Sequence, residues 1–357
     1  MVVSSVHAAL LQQAMWCKDL QAPFTAALCR AMADDYARGG IVADLTKGWP
    51  SHPISDALAL RLTGALHYCA LKNSDSDLAK AWPRPGYDWS IEVAWALAEA
   101  TLRAEADWVK VIIQSPPQTN EVSRSVGLWP GLCAAAQGFD GPIDVLELGA
   151  SAGLNIFMDH FEYLTDAWSW RPEPAYAKVH ITARWTGARP FVPEQSPIRH
   201  RAACDQNPLD ASDRDHRLRL MAYVWPEQFD RLARLESALN IAQAHAFVPD
   251  QADAADWLAD KLRKRAKDAL TVVYHSVFFQ YPPLVVRQAI EQTMQRHGAA
   301  ATKESPLAWL RYEPNPELGH QQFVTNQIID LMEWPSNQRR KLASIHPHGR
   351  SVEWLGA

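Results

Sequence analysis

Asp144-Val145-Leu146-Glu147-Leu148-Gly149-Ala150-Ser151-Ala152-Gly153-Leu154-Asn155 is the stretch on which the fold turns. A short apolar run ends in an acid, small residues follow, and a helical pattern opens at Leu154 and continues through Phe157, Met158 and Phe161. Glycine at 149 and 153 permits close approach to the backbone and a positive φ. A helix start here would present free N–H groups. Glu147 stands where an acid orders the turn or accepts from a ligand ammonium group. Strand, small-residue turn and helix in this order belong to α/β proteins, although many such turns bind nothing.

Working outward, further buried-strand runs appear at 200–204, 244–248, Leu270–Ser276 and 307–312, separated by helical stretches. That alternation predicts a doubly wound, mostly parallel sheet with helices on both faces. The segments 323–332 and 350–355 read as a closing antiparallel pair joined by a mostly polar connection. Upstream the texture is helical. A helix over 24–38 stops at Gly39-Gly40, and one over 55–71 starts at Ser55 or Asp56. A third, over 90–113, ends before Pro116-Pro117. The expected organisation is a helical cap region at 1–115, then an α/β domain at 116–357 with an aromatic-rich insertion at about 160–198.

The chain has 357 residues, 48% hydrophobic and 21% charged, which is enough for a deep core. Its net charge of −5 provides no basic field for nucleic acid. The one basic run, 261–267, shares a helical face with Leu258, Leu262 and Ala266 and reads as a solvated helix surface. Five scattered cysteines without a CxxC pair argue against a disulfide framework and structural zinc. The first twenty residues lack signal-peptide features, and no apolar run is long enough to span a bilayer. A cytoplasmic protein with a small-molecule partner is expected; oligomeric state is not legible. Three of the fifteen tryptophans fall within 168–185, near Phe161, Tyr163 and Tyr176. They either pack a loop-rich insertion or wall a flat or cationic substrate.

Other residues carry chemistry. Asp205, after the 200–204 run, stands where doubly wound folds take ribose hydroxyls. The usual spacing from the glycine turn is about 20 residues, and here Asp205 lies 56 after Gly149, so an insertion is required. Asp253 either accepts from an adenine amino group or caps a helix starting at Ala254. His275 ends the 270–276 run and is either a general base or structural; Tyr281 is a second base candidate. Asn120, Glu121 and Arg124 either cover the ligand, with Arg124 on its carboxylate, or form a helix-surface ion pair. His346-Pro347-His348-Gly349 reads as a turn, since no third ligand accompanies the histidines, and no metal is expected. Gly149-x-Ser151-x-Gly153 also spells a nucleophile elbow, but no HGGG-type stretch precedes it and the upstream chain reads as helical.

Taken together, the glycine turn, the acids at 205 and 253, HSVFFQYPP (275–283) and the closing pair resemble class I S-adenosylmethionine-dependent methyltransferases. More closely, QTNEVSRS (118–125), ELGASAGLN (147–155), YVWPEQ (223–228), HSVFFQYPP, PLAWLRYEP (306–314) and HPHG (346–349) resemble an uncharacterised bacterial domain-of-unknown-function family over nearly all of 110–357. The methyltransferase resemblance implies a Rossmann-like sheet of that type and S-adenosylmethionine as cofactor. It implies a cofactor loop of Glu147, Gly149, Ser151, Gly153 and Asn155, with Asp205 on the ribose and Asp253 on the adenine. Two departures stand: Ser151 replaces a third small residue of the loop, and Gln280-Tyr281-Pro282-Pro283 replaces the Asn/Asp-Pro-Pro-aromatic stretch of amino methylases. The expected function is methyl transfer to a small molecule or exposed side chain. Non-catalytic adenosyl binding and serine hydrolysis through Ser151 are the alternatives.

Overall fold

The computed structural model describes residues 5–172, 179–315 and 327–356. Tyr176 and the first part of the strand expected at 323–332 lie outside the described residues. The chain divides into two compact units, Met1–Thr119 with Asp213–Glu236, and Asn120–Ser212 with Ser237–Ala357.

The first unit is helical. It holds α1 (Val6–Asp19), α2 (Pro23–Ala37), α3 (Ile41–Leu45), α4 (Leu58–Lys72), α5 (Asp77–Ala81), α6 (Ile91–Ala104) and α7 (Ala106–Ile112). Local chemistry sets their starts. Ser5, Ser76 and Ser90 accept from backbone N–H groups in the first turns of α1, α5 and α6, and Pro23 opens α2. Helix α4 begins later than the expected Ser55 or Asp56. Asp56 accepts instead from Trp49 Nε1 at 2.6 Å and from the Ser51 hydroxyl, and Ala57 turns left-handed at the cap. The helix expected over 90–113 is two helices, broken at Glu105. Leu10, Phe24, Leu28, Met32, Leu62 and Leu66 form the core.

After an interval the chain re-enters this unit with α9 (Arg214–Ala222) and the start of α10 (Phe229–Ala244). The YVWPEQ stretch locks them in. Glu227 accepts from Thr25 N–H at 2.9 Å and Thr25 Oγ at 2.7 Å. The Val224 carbonyl lies 2.9 Å from His67 Nδ1, and Trp225 packs against Cys17, Ala22 and Ala26.

The second unit starts with α8 (Ser125–Ala136) and carries β1 (Ile143–Leu148), β2 (Glu162–Thr165), β3 (Ser169–Trp170), β4 (His180–Gly187), β5 (Ile198–Asp205), β6 (Asp250–Gln251), β7 (Leu270–Ser276), β8 (Leu307–Pro314), β9 (Gln327–Trp334), β10 (Gln338–Ile345) and β11 (Ser351–Trp354). Among the described residues these form one sheet in the order β3-β2-β4-β11-β10-β9-β8-β7-β1-β5-β6. Six of the ten neighbouring pairs are parallel, including every pair from β6 across to β8. Two helices, α11 (Ala254–Arg263) and α12 (Leu284–Ala299), pack with Leu146, Val273 and Trp309 on one face. On the other face α8 lies close enough that a Cβ at Gly127 or Gly131 would strike Ile329, Ile345 or Leu310.

Several expectations for this unit need correction. The 244–248 run is not a strand: α10 continues to Ala244, Ala246 turns left-handed, and the edge strand is only Asp250–Gln251. Phe247 leaves the run to pack beneath Gly153. The polar connection after β9 is itself a strand, β10, whose Arg339 and Arg340 pair with Asp330 and Glu333 on β9. Charge on its exposed half hid it.

The 160–198 insertion keeps much loop but also supplies β2, β3 and β4, which the sequence pattern does not predict. Its buried Tyr163, Trp168, Trp170 and Trp185 contact one another, and Trp185 also stacks on Trp354, so these rings face protein rather than an open substrate site. Finally, the glycine turn leads into a six-residue 3-10 turn, Asn155–His160, not an α-helix. The basic run also differs in part: α11 stops at Arg263, while Lys261, Arg263 and Lys264 pair with Asp250 and Asp260.

Candidate functional site

Strands β5, β1, β7 and β8 run parallel, so their carboxyl ends lie along one edge. From β1 the order proceeds to β5 and β6 on one side and to β7 and β8 on the other. A crevice at such a reversal is where open α/β sheets bind ligands. QTNEVSRS, ELGASAGLN, HSVFFQYPP, the end of PLAWLRYEP and HPHG all contribute groups to this end of the sheet. YVWPEQ does not, since it belongs to the helical unit.

The turn after β1 is built on three left-handed residues, Gly149, Ser151 and Gly153, at φ of 67°, 57° and 67°. For Ser151 that conformation is uncommon. Asp205 ties it down. Its Oδ2 accepts from Ser151 N–H at 2.8 Å and its Oδ1 from Asn207 N–H at 2.9 Å. Asn120 Oδ1 accepts from Leu154 N–H at 3.0 Å, and Asn155 Nδ2 donates to the Glu121 carbonyl at 3.2 Å. Glu121 is buried and accepts from Ser123 N–H at 3.2 Å. The glycines serve packing as well as conformation. A Cβ at Gly149 would lie 2.1 Å from the Phe278 ring, and one at Gly153 would lie 2.5 Å from Phe247.

Glu147 and Tyr274 are register partners and share a sheet face. Burial pushes the Glu147 carboxyl up to about 8, with Asp205 adding to the rise; the Tyr274 phenol and Arg124 oppose it. The phenol lies close enough to interact, but its hydroxyl makes no hydrogen bond of normal geometry. Glu147 Oε2, Ser151 Oγ and Asn155 Oδ1 are also buried without a hydrogen-bond partner among the described residues. Leaving such atoms unpaired costs about 1–3 kcal/mol each, so this corner favours an incoming polar ligand or water.

His275, one residue beyond Tyr274, faces the opposite side of the sheet. Its ring is fully buried, stacked on Phe279 at 4.8 Å and edge-on to Trp309 at 5.9 Å. Nδ1 lies 2.5 Å from Glu313 Oε1. The same oxygen accepts from Phe278 and Phe279 N–H at 2.9 and 3.2 Å. Val277, just before them, is left-handed, at φ 53°, a strained state for a β-branched residue. His275 and Glu313 therefore hold the 277–279 bend that places Phe278 over Gly149.

Sequence reading missed Glu313. The rule that singles out Glu147 and Asp205, an acid at the end of a buried strand, selects it as well. Tyr274 was missed because nothing local shows which face a hydroxyl takes.

Arg124 spans two segments of this end, donating to the Ser276 carbonyl at 3.1 Å and the Pro347 carbonyl at 3.2 Å. His346 and His348 form the turn into β11, where His348 N–H donates to His346 Nδ1 at 3.0 Å. No group of residues suited to a metal ion occurs among the described residues. Asp253 caps α11, accepting from Ala255 N–H at 2.9 Å and Asp256 N–H at 3.3 Å. Tyr281 is exposed. The turn, Asp205, Asn120, Glu121 and Arg124 are thus brought together. The His275 ring lies behind the sheet from Glu147, and Asp253 is engaged in its cap.

A family model described as an uncharacterised protein conserved in bacteria, DUF2332, matches residues 7–354. The chain belongs to this family. No curated protein and no solved structure matches it. The DUF2332 match extends over both units, so the helical unit is part of the family and not an appendage to the sheet. No helix among the described residues is long and apolar enough to cross a membrane.

Proposed function

We propose that the carboxyl end of the parallel strands binds S-adenosylmethionine and that the protein transfers its methyl group to a small molecule or an exposed side chain. The observation that carries this reading is Asp205. Despite its 56-residue separation from Gly149, it lies at the end of the strand beside β1, with its carboxylate on the glycine turn. The excursion through β2, β3 and β4 absorbs the extra length. The chain's groups suit such a ligand in part. Asp205 offers acceptors for ribose hydroxyls, and Glu147, whose Oε2 is buried and unpaired, would hold an ammonium group on giving up its proton. Phe278 covers Gly149, so a ligand there displaces its ring or lies against it. When bound, the cofactor supplies a methyl group on a sulfonium. The protein's part is to align an acceptor in a dry site.

Calorimetric titration of the whole protein with S-adenosylmethionine and S-adenosylhomocysteine tests the proposal. Micromolar binding is expected, weakened roughly 10- to 100-fold in Asp205→Ala, the range for lost hydrogen bonds to a charged group. Absence of binding to both ligands overturns it.

One observation favours the second reading, serine hydrolysis: Ser151 is left-handed within Gly-x-Ser-x-Gly. Its Oγ is buried and takes no histidine partner among the described residues. Labelling of Ser151 by a fluorophosphonate probe would move that reading to the front. Adenosyl binding without turnover of any acceptor would favour the non-catalytic one.

A further inference from the structure

The helical unit contains a pocket of about 170 Å³ between α4, α7 and α9. Its aromatic wall is Tyr68 and Trp108, whose rings lie 5.1 Å apart at 30°. Tyr223 forms another side. One edge of its ring abuts Gly64, where a Cβ would come within 2.8 Å of it. The Tyr68 hydroxyl donates to Asp215 Oδ1 at 3.1 Å. Arg219 also lines the pocket, and its Nε is buried with no hydrogen-bond partner among the described residues.

That arginine is the unusual feature. A guanidinium does not shed its proton, and a buried donor left unpaired costs about 1–3 kcal/mol. Asp215 sits one helical turn before it but is engaged by Tyr68 and makes no ion pair with it. Arg219 is otherwise only part-buried, so an acceptor from outside the chain can reach its guanidinium through the pocket. The pocket is partly open, and its volume matches a single ring, since a cavity on the order of 150 Å³ accommodates benzene.

We infer that this pocket binds a single-ring aromatic acid, with its ring against Tyr68, Trp108 and Tyr223 and its carboxylate on Arg219. The site is independent of the carboxyl end of the parallel strands and does not rest on the methyl-transfer reading. Saturation-transfer NMR and calorimetry on the full-length protein with benzoate, benzyl alcohol and benzylamine test it. Benzoate is expected to bind at least about tenfold more tightly than either of the others, the effect of one charge-assisted hydrogen bond. Arg219→Gln should remove that preference while leaving benzyl alcohol unchanged, with thermal unfolding confirming the fold. Trp108→Leu, at a half-buried position, keeps the arginine and should weaken all three. Benzylamine binding as tightly as benzoate would overturn the inference and make Asp215 the determinant. So would benzoate binding that is absent in the wild type, or unchanged in a folded Arg219→Gln protein.

Discussion

Glu147 ends the central strand as an acid that holds its proton through neutral pH, and this has a consequence for stability. Its folded value of about 8 lies above its ordinary value of 4.5. Between those limits the folded state binds more protons than the unfolded, so stability falls as pH rises. The contribution is complete below about pH 4.5 and lost above about pH 8. Glu147→Gln, which keeps the shape and cannot ionise, should flatten that slope. At pH 9 it should unfold later than the wild type, by up to about 5 kcal/mol, and at pH 4 the two should coincide. Thermal melts across this range provide the check; parallel curves would show that Glu147 ionises freely. Glu313 makes the complementary case. Glu313→Ala strands His275 Nδ1 and the N–H groups of Phe278 and Phe279. A loss of about 2–4 kcal/mol in denaturant unfolding is expected, with the larger part recovered in Glu313→Gln. The acids at 147 and 205 were legible because each follows an apolar run. Their partners were not, because Tyr274 and Ser151 reach them only through strand register and a turn.

At the scale of elements, α11 distinguishes a cap from a ligand contact. Asp253→Ala should cost about 1 kcal/mol through loss of the cap, and Asp253→Ser should restore most of it. Adenosyl affinity measured in the same two variants addresses the adenine assignment. A role in capping alone leaves binding unchanged in the serine variant, whereas loss of binding in both would give Asp253 a ligand contact. The strands β1 and β7 were legible because each is a short, mostly apolar run buried along nearly its whole length. Strand β10 was not, since half of it is charged and solvent-facing, and an edge-like polar pattern resembles a loop. The 3-10 turn after Gly153 escaped for the opposite reason. Leu154, Phe157, Met158 and Phe161 have helical spacing, but Phe157 departs from helical φ/ψ and Tyr163 Oη takes the Met158 carbonyl.

For the whole molecule, the chain leaves the sheet unit at Ser212 and gives α9 and YVWPEQ to the helical unit before returning. A protein beginning at Asn120 would therefore carry Leu220, Ala222, Val224 and Trp225 without the helices that bury them. It is expected to bind a hydrophobic dye and aggregate, whereas the same fragment with 213–228 replaced by a short Gly-Ser linker should remain monomeric. Equal behaviour in light scattering would show that this segment does not need the N-terminal helices. The helical N-terminal region, the central parallel strands, the glycine turn and the acids at or next to the ends of two of those strands follow from the residues alone. All of these are written in local periodicity, small residues and burial of contiguous apolar runs. Tertiary structure decided the rest. It joined Asp205 to a turn 56 residues away, put His275 and Glu147 on opposite faces, and assigned YVWPEQ to the helices. It also turned an aromatic insertion into strands. Each of these depends on which strand lies beside which, and a pairing between distant segments leaves no periodicity in either one.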